Sequence, residues 1–392
     1  MNPLSSRERL LAVLRNEEPD HMPLVFNTFG FRPPPHLKWS NEDEEAQAWL
    51  SIGLDAMFHV NPPIAAQSDD TIREWVEPAQ GDKDPCMVKE YDTPAGVLRQ
   101  EVYLTDDWKT EDWPGHTGES IRLFDDYNTP RYRKPAIETE DDIEKLRYLL
   151  RPASPETIDG FHQHASQVAK RADELGILLV GNGAVGGDAV SWLCGAEAAI
   201  TMAVDRPQMF DDLMDVINEW DVRDIGTLLD TPVDLIMRRG YYEGTSMWSP
   251  ALFERFFLPR LKEQVELAHQ GDRHIGYTMS VGYMPLLDML AQVGYDAHHL
   301  LDPVTTDMPV DLHRVKTAFN GKTAVIGGLN AHITLESGTR DDIRQQVFGS
   351  VSILGEGGGL GLSPAEGIFA STPWQSIETL IEAWHEVRDY SG

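Results

Sequence analysis

The sequence predicts a (β/α)8 barrel, in which eight parallel strands close into a cylinder surrounded by helices. Short apolar runs alternate with longer amphipathic segments along most of the chain, a pattern typical of a parallel sheet with helical crossovers. The chain has 392 residues. Two domains are the default at this length, but barrels extend beyond about 250 residues as one unit. We therefore expect one barrel domain that spans residues 1–392.

Eight apolar runs are the predicted strands. They span residues 22–30, 54–61, 177–182, 233–239, 274–280, 296–301, 323–328 and 359–364. Helices between them begin at recognisable signals: Ser5 and Glu8 have the spacing of a capping box, and Thr372-Pro373 precedes the last helical pattern. Residues 76–140 interrupt the alternation and are rich in Trp, Asp, Pro and Thr, so we expect a hairpin-bearing insertion there.

The composition limits the partners and the location that we expect. The chain carries 64 acidic against 33 basic residues, a formal net charge of -31. A surface this acidic repels nucleic-acid phosphates and anionic lipids, so we expect neither a nucleic-acid partner nor a membrane partner. Cys86 and Cys194 are too few for a disulfide framework, and no signal peptide or apolar membrane span is evident, which favours reduced thiols in the cytoplasm.

Residues 181–186 read GNGAVG and directly follow a predicted strand. One interpretation is a dinucleotide-binding loop, which requires a second strand that ends in an acidic residue about 20 residues further on. Asp205, Asp211 and Asp212 lie in that range, and none of them ends a predicted strand. The favoured interpretation is therefore a glycine-lined loop of the barrel.

Four segments of the chain carry a family pattern. They are RERLLAVLRNEEPDHMPL, WSPALFERFFLPRLKEQV, MPLLDMLAQVGYDAHHLLDP, and VIGGLNAHITLESGT with the later GLGLSPAEGIFASTPWQSIETLIEAW. In this order they resemble the uroporphyrinogen decarboxylase superfamily, which also contains methyl-transferring enzymes that work with corrinoid cofactors. The resemblance covers nearly the whole chain except the insertion, and it implies a barrel with its active site at the carboxyl ends of the strands. It does not choose among the reactions of the family.

The chain departs from the decarboxylases of this superfamily, which use an Asp near the end of an early strand. The matching strand here, in LDAMFHVNPP, offers His59, Asn61 and Pro62 instead. The arginine-rich substrate segment of the decarboxylases is represented by Arg32 alone, although a substrate with many carboxylates needs several cations. These departures argue against decarboxylation of uroporphyrinogen itself.

The chain also departs from the thiol-methylating members, which hold zinc through a His-x-Cys pair and a later Cys. The matching positions hold Thr278, Ser280 and Glu366, which do not form a set of soft ligands, so we expect no thiolate zinc site and assign no metal ligand. The corrinoid-binding signature Asp-x-His-x-x-Gly begins at Asp272 but has Tyr277 in place of the glycine. If a corrinoid is used, it arrives on a partner protein or free in solution.

The segment RRGYYEG, residues 238–244, directly follows a predicted strand and so falls at the catalytic end of a barrel. Arg238 and Arg239 point to opposite sides of the strand, so one of them faces the site and is a candidate substrate-binding residue. Tyr241 and Glu243 are candidate proton donors, and Tyr242 is a candidate substrate contact. The structural alternative is an ion pair between Glu243 and an arginine.

Further candidates lie at other strand ends. Glu366 replaces a zinc ligand and therefore, by resemblance, lies in the site, where a buried carboxyl group can act as a general acid; a capping role is the alternative. Among the strand histidines we favour His59 as catalytic over His274 and His298. The remaining candidate substrate-binding residues are Asn27, Asn61, Asn182, Tyr277 and Asn330.

The leading hypothesis is a methyltransferase of the O-demethylase type, which moves a methyl group from a small methylated substrate, such as a methyl ether, to a corrinoid or similar carrier. Because alkoxide is a poor leaving group, a protein acid (Glu243, Glu366 or Tyr241) protonates the departing oxygen. We expect these residues and one arginine to share a pocket at the barrel mouth. Two alternatives stay open: a carboxy-lyase that acts on a small carboxylate, and a non-catalytic barrel that binds a ligand.

Overall fold

The structure is a computed structural model that describes residues 3–64, 72–108, 119–305, 308–319 and 321–390, so residues 109–118 of the predicted insertion lie outside it. The strands in these ranges are β1 (Thr28–Phe29), β2 (Met57–Val60), β3 (Ile72–Glu77), β4 (Cys86–Thr93), β5 (Gly96–Tyr103), β6 (Tyr132–Lys134), β7 (Leu178–Ala184), β8 (Leu235–Arg239), β9 (His274–Thr278), β10 (Ala297–Leu301), β11 (Ala324–Asn330), β12 (Leu360–Ala365) and β13 (Ile368–Phe369). The α-helices are α1 (Ser6–Leu14), α2 (Glu42–Ser51), α3 (Glu140–Leu149), α4 (Pro155–Leu175), α5 (Gly187–Cys194), α6 (Ala196–Asp205), α7 (Pro207–Leu229), α8 (Pro250–Leu252), α9 (Leu258–Gln270), α10 (Leu287–Leu290), α11 (Leu312–Phe319), α12 (Arg340–Leu354) and α13 (Trp374–Val387).

The central sheet is parallel, with the strand order β12-β11-β10-β9-β8-β7-β2. Residues 23–25 join its two edges. The Val25 N–H donates to the carbonyl of Leu362 on β12 over 3.0 Å, and the Asp55 N–H, just before β2, donates to the carbonyl of Leu24 over 2.9 Å. These parallel bridges fill the eighth strand position, so the predicted (β/α)8 barrel is confirmed.

One end of this barrel is sealed by the first helix. Near that end, inward-facing side chains of the strands pack on the barrel axis, among them Val180, Met237 and Ile326. Leu10 and Val13 of α1 join the same cluster. The outward-facing side chains pack against the surrounding helices in a second, larger core. Because the amino-terminal ends of the strands are covered, the carboxyl ends form the open mouth of the barrel.

The helices follow the sequence signals with local irregularities. Ser5 caps α1 in the predicted capping box. The helix after Ser249 begins as α8 and passes through a π-helical turn, Phe253–Phe257, before it continues as α9. A π turn shifts the side chains that follow it around the helix axis relative to a regular α-helix. No helix within the described ranges is long and apolar enough to cross a bilayer.

The chain between β2 and α3 forms a separate antiparallel sheet in the order β3-β4-β5-β6. β4 and β5 make a hairpin that closes at the pair Thr93↔Gly96. β3 begins at Ile72, so residue 76, where we placed the start of the insertion, falls inside a strand. Residues of the connection between β5 and β6, including Phe124 and Asp126, reach the barrel mouth and line cavities there.

A buried ion pair fixes α1 to the barrel, and its loss should destabilise the fold. Arg9 Nη1 lies 2.6 Å from Asp55 Oδ1, and the Asp55 side chain is fully buried. We expect Asp55→Ala to lower the free energy of unfolding by about 1.5–3 kcal/mol, because Arg9 would lose its fully buried partner and keep Asp20 as its carboxylate. Urea denaturation followed by circular dichroism measures the change.

The exposed pair between Arg15 and Glu17 provides the control for this prediction. Glu17→Ala should change the free energy of unfolding by less than about 0.5 kcal/mol, because solvent screens an exposed pair. Equal stabilities of the two variants would show that the Arg9–Asp55 pair does not hold α1 in place.

Candidate active site

Two connected cavities open at the carboxyl ends of the barrel strands. The first, which we call the inner compartment, has a volume of about 580 Å³ and contains His59, Asn182 and His299 in its wall. The second, the outer compartment, has a volume of about 510 Å³ and is bounded by Tyr242 and Glu366. Three residues line both compartments: Phe29, Arg239 and Tyr241.

The inner compartment contains a neutral polar surface. The Asn182 amide donates to Asn61 Oδ1 over 3.0 Å, and Thr278 Oγ1 lies 2.9 Å from His299 Nδ1. Burial, with the nearby His59 adding to it, lowers the pKa of His299 to about 3, and burial also lowers the pKa of His59. Both imidazoles are therefore uncharged at neutral pH, and they can donate or accept hydrogen bonds without adding charge.

Arg239 brings a positive charge to the boundary of the two compartments. Its side chain is 35% exposed, and its Nε donates to Asp188 Oδ2 over 3.3 Å. The guanidinium lies over the rings of Trp192 at 4.8 Å and Tyr241 at 5.1 Å. Asp188 is fully buried, and that burial raises its pKa to about 6 despite the neighbouring Arg239. Arg239 is thus held in one orientation by a carboxylate behind it and two aromatic rings.

Tyr241 lies beside this guanidinium and faces both compartments. Burial raises the pKa of Tyr241 well above its ordinary value, while the charge of Arg239 acts in the opposite direction. The phenol is therefore protonated at neutral pH, and the phenolate that forms when it gives up its proton has a cation next to it. The group can therefore donate a proton to a strong base, although burial makes it a weaker acid than a phenol in water.

The outer compartment is bounded by aromatic rings and by a histidine that lies between two carboxylates. The rings of Phe29 and Phe369 stack at 5.6 Å, and those of Phe369 and His332 at 5.0 Å. His332 Nδ1 lies 3.1 Å from Glu336 Oε2, and His332 Nε2 lies 3.6 Å from Glu366 Oε2. The Glu366 carboxylate also accepts from the hydroxyl of Ser280, and its side chain is 42% exposed. Glu366 thus opens onto the mouth together with Arg239, Tyr241 and Tyr242.

Glu243 lies elsewhere. Its side chain is fully buried behind β8, where Oε2 accepts from Arg238 Nη1 and from the Tyr277 hydroxyl, each over 2.5 Å. Oε1 accepts from the Gly187 backbone N–H over 2.6 Å. Arg238 donates further to Gln264 Oε1 over 3.0 Å. This arrangement corrects the expected placement of Glu243, Arg238 and Tyr277, because all three side chains face the helices and line neither compartment.

Two of the remaining candidate asparagines differ in their surroundings. Asn27 lines the inner compartment. Asn330 caps the π-helical turn Ala331–Glu336: its Oδ1 accepts from the backbone N–H groups of Ile333 and Thr334, and its Nδ2 donates to Asp302. Its side-chain hydrogen-bonding groups are therefore already in use, which corrects the expectation that Asn330 contacts substrate.

The histidines on the strands face different sides of the sheet or lie at different ends of the barrel. His298 is fully buried behind β10, where Nε2 lies 2.8 Å from the Met279 carbonyl, whereas the adjacent His299 faces the cavity. His274 lies at the amino-terminal end of β9, 3.3 Å from Asp296 and on the opposite side of the barrel from the mouth. The sequence does not show which of two adjacent strand histidines faces the cavity. The structure shows that His299 does, and no sequence signal identified it.

A family model described as uroporphyrinogen decarboxylase (URO-D) matches residues 118–387, more than half of the chain. The chain belongs to this family. Membership supports an enzyme of the decarboxylase-like or methyltransferase-like kind. No sequence among curated proteins matches the chain.

Two solved structures illustrate what this chain is similar to. A methyltransferase from Methanosarcina mazei aligns over 98% of this chain and 99% of its own, with a TM-score of 0.55 and 17% identity. A putative vitamin-B12-independent methionine synthase from Listeria monocytogenes aligns over 58% of this chain and 70% of its own, with a TM-score of 0.36 and 11% identity. At such identities the first likeness establishes the fold alone.

The donor groups at the family's zinc positions do not fit a thiol-activating zinc ion. Thr278 pairs with His299, and Ser280 donates to Glu366, so these positions offer hydroxyl groups and one carboxylate but no thiolate. Cys86 lies in β4 of the separate sheet, and Cys194 is buried in α5. Such a set lacks the soft ligands that stabilise a zinc-bound thiolate.

The glycines of GNGAVG have a packing role in this family member. A Cβ on Gly181 would lie 2.6 Å from Leu228 Cδ2, and one on Gly183 would lie 2.7 Å from Leu228 Cδ1. The first half of the motif therefore lets α7 approach β7 closely. Both glycines lie within β7 rather than in a loop, so the expectation of a glycine-lined loop is corrected: residues 181–184 are strand, and only residues 185–186 belong to the connection that follows.

Several residues of the mouth had no sequence assignment. Asp188 and Trp192 lie on α5, and Trp220 and Asp224 lie on α7 beside the inner compartment. In α7 an available signal was the pair of acidic residues, Asp221 and Asp224, close to Trp220 in an otherwise apolar helix face. Acidic side chains on a buried face need a partner or a function.

The geometry around Glu243 predicts a structural role that mutation can test. We expect Glu243→Gln to lower the free energy of unfolding by about 3–5 kcal/mol, because Arg238 would keep its charge in a fully buried site without the carboxylate. Urea denaturation measures the loss. Glu382→Gln removes the partner of Arg340 from an exposed pair and should cost less than about 0.5 kcal/mol. If Glu243→Gln is as stable as the parent protein, the buried network is not what holds the loop after β8.

Proposed function

We propose that the chain is a methyltransferase that takes a methyl group from a small methylated substrate in the inner compartment and passes it to a carrier at the outer compartment. The observation that carries this proposal is Tyr241, a protonated phenol beside the Arg239 guanidinium that borders both compartments. A donor of this kind is what the cleavage of a methyl ether requires.

The chemistry follows from the poor leaving ability of alkoxide. As the methyl–oxygen bond breaks and the methyl group moves to the carrier's nucleophile, Tyr241 transfers its hydroxyl proton to the departing oxygen, which leaves as an alcohol. Arg239 stabilises the phenolate that remains, since its guanidinium lies 5.1 Å from the ring. Proton uptake from solvent through the open mouth restores the phenol. General acid catalysis of this kind contributes about 10²–10⁴-fold.

Substrate orientation falls to the neutral groups of the inner compartment. His59 and His299 supply hydrogen bonds without charge, and Asn61 is held by Asn182. Fixed donors and acceptors of this type position a small polar substrate with little reorganisation during the reaction.

A reduced corrinoid, when bound, would supply the nucleophile that accepts the methyl group. The residues that would contact such a carrier line the outer compartment. Phe29 and Phe369 offer an apolar wall, whereas both ring nitrogens of His332 face carboxylates. The histidine of the incomplete corrinoid signature, His274, lies at the far end of the barrel. We therefore propose a separate corrinoid protein or a free corrinoid as the partner.

One observation favours a second candidate, a carboxy-lyase that acts on a small carboxylate. Arg239 can pair with a substrate carboxylate, and Tyr241 can then protonate the carbanion after carbon dioxide leaves. Uroporphyrinogen itself fits poorly, because among the described residues of the inner compartment one arginine stands against Glu42, Glu45 and Asp224. Release of carbon dioxide without methyl transfer would select this candidate, and binding without turnover would select a non-catalytic barrel.

Removal of the Tyr241 hydroxyl tests the proposed function. We expect Tyr241→Phe to lower single-turnover methyl transfer from a methyl ether to cob(I)alamin by at least about a hundredfold, because the alkoxide would leave without a proton. Substrate affinity should change far less than the rate. Absorbance of the corrinoid follows the transfer.

Tyr295→Phe is the matched control for this experiment, because its buried hydroxyl bonds to His298 outside both compartments. Its methyl-transfer rate should remain within about threefold of the parent rate. A Tyr241→Phe variant with nearly full turnover, together with a Glu366→Gln variant that loses it, would move the acid role to Glu366.

A further inference from the structure

We infer that the substrate of this site carries a positively charged ammonium or sulfonium group, held between the aromatic rings and carboxylates of the inner compartment. This inference rests on the proposed function only in taking the inner compartment as the substrate site. It adds a substrate class, an organic cation, to a proposal that so far specifies only a methyl group.

Aromatic rings form one wall of the inner compartment. Phe124 stacks on Trp220 with ring centres 4.9 Å apart, and its other contact is the edge of Trp192 at 6.1 Å. Phe26 and Trp49, also in the lining, meet edge-on at 5.1 Å. Faces of indole and phenyl rings carry partial negative charge and attract cations that are too apolar to be strongly hydrated.

Carboxylates accompany these rings. Asp224 follows Trp220 by one turn of α7 and forms a hydrogen bond with its indole, while Glu42 and Glu45 of α2 line the same compartment. Glu45 is kept in place by the Thr28 hydroxyl, which donates to its Oε1 over 2.5 Å. Burial, with nearby Asp221 adding to it, raises the pKa of Asp224 to about 8. A bound cation would favour the ionised form of Asp224 and remove the penalty of leaving it beside the rings.

Among the described residues that line the inner compartment, the acidic side chains outnumber the cations, although Arg171 outside the lining lies 3.9 Å from Glu42. Arg239 is the cation among its described lining residues, and Asp188 already lies against it. His59 and His299 are neutral. The whole chain, with a net charge of -31, adds a negative field that draws cations and repels anions. A neutral apolar ligand would also pack on the rings, but it would gain nothing from the half-buried side chains of Glu45 and Asp224.

Choline and dimethylbutanol, in which carbon replaces the charged nitrogen, provide a matched pair of probes. We expect choline to bind at least about tenfold more tightly than dimethylbutanol at physiological salt, because both probes pack on the rings but only the charged one is attracted to the carboxylates and to the negative charge of the ring faces. Isothermal titration calorimetry on the full chain measures both affinities. Equal or tighter binding of dimethylbutanol would overturn the inference.

Two variants locate the binding site. Asp224→Asn should weaken choline binding by at least about fivefold and leave dimethylbutanol binding unchanged. Trp220→Leu should have the same selective effect, since it keeps apolar bulk but removes the ring. Asp212→Asn, on the same helix but outside both compartments, removes one negative charge and should leave choline affinity unchanged. Unaltered choline affinity in both Asp224→Asn and Trp220→Leu would overturn the site.

The proposed function can be wrong while this inference is correct. Tyr241→Phe should keep choline affinity while it loses methyl transfer from an ether. If the charged atom itself loses the methyl group, the leaving group is already neutral, and Tyr241→Phe would retain turnover. That result would overturn the acid role of Tyr241 and support the cationic substrate.

Discussion

Side chains alternate sides along a strand, and in a closed barrel this alternation separates neighbouring residues completely. Arg239 and His299 face the cavity, whereas Arg238 and His298, adjacent in sequence, are buried against the helices. The cavity and the wall that supports it therefore come from the same short segments. A shift of one residue in any of these strands would exchange the two sets, so the chemistry of the mouth depends on the register of the barrel.

The wall behind the mouth stabilises the loop that carries Tyr241 and Tyr242. Glu243 connects β8, β9 and the start of α5 through Arg238, Tyr277 and the Gly187 N–H. Gly186 permits this convergence: its φ is +48°, and a Cβ there would lie 2.1 Å from Arg238 Nη2. This desolvated ion pair fixes the loop in advance, so the Tyr241 side chain is held at the mouth before any ligand binds.

The sequence predicted the barrel but only part of the candidate site. Periodicity and turn signals located the strands, because apolar runs between helices leave few other folds. The closure by residues 23–25 was included in a predicted strand, although it rests on isolated bridges. We expected Glu243 at the mouth because it follows a strand, and the strand's position shows at which end of the barrel the residue lies. The direction of its side chain depends on partners that are distant in sequence, so the sequence did not predict it. Asp224 had no sequence assignment for a related reason. Helix periodicity shows which face of a helix is buried, but it does not show that this face borders a cavity.

The bridge between Leu24 and Leu362 joins the beginning of the barrel to its last strand. Met22 and Trp384 reinforce the same seam, because the Trp384 indole donates to the Met22 carbonyl over 2.9 Å. During synthesis, residues 23–25 can pair with the nearby β2 early, but their other neighbour, β12, is made only when almost all of the barrel is complete. Contacts this distant in sequence slow folding and leave partly formed sheet edges exposed in the meantime. A nascent chain of this protein therefore exposes an unpaired sheet edge until its final strand emerges.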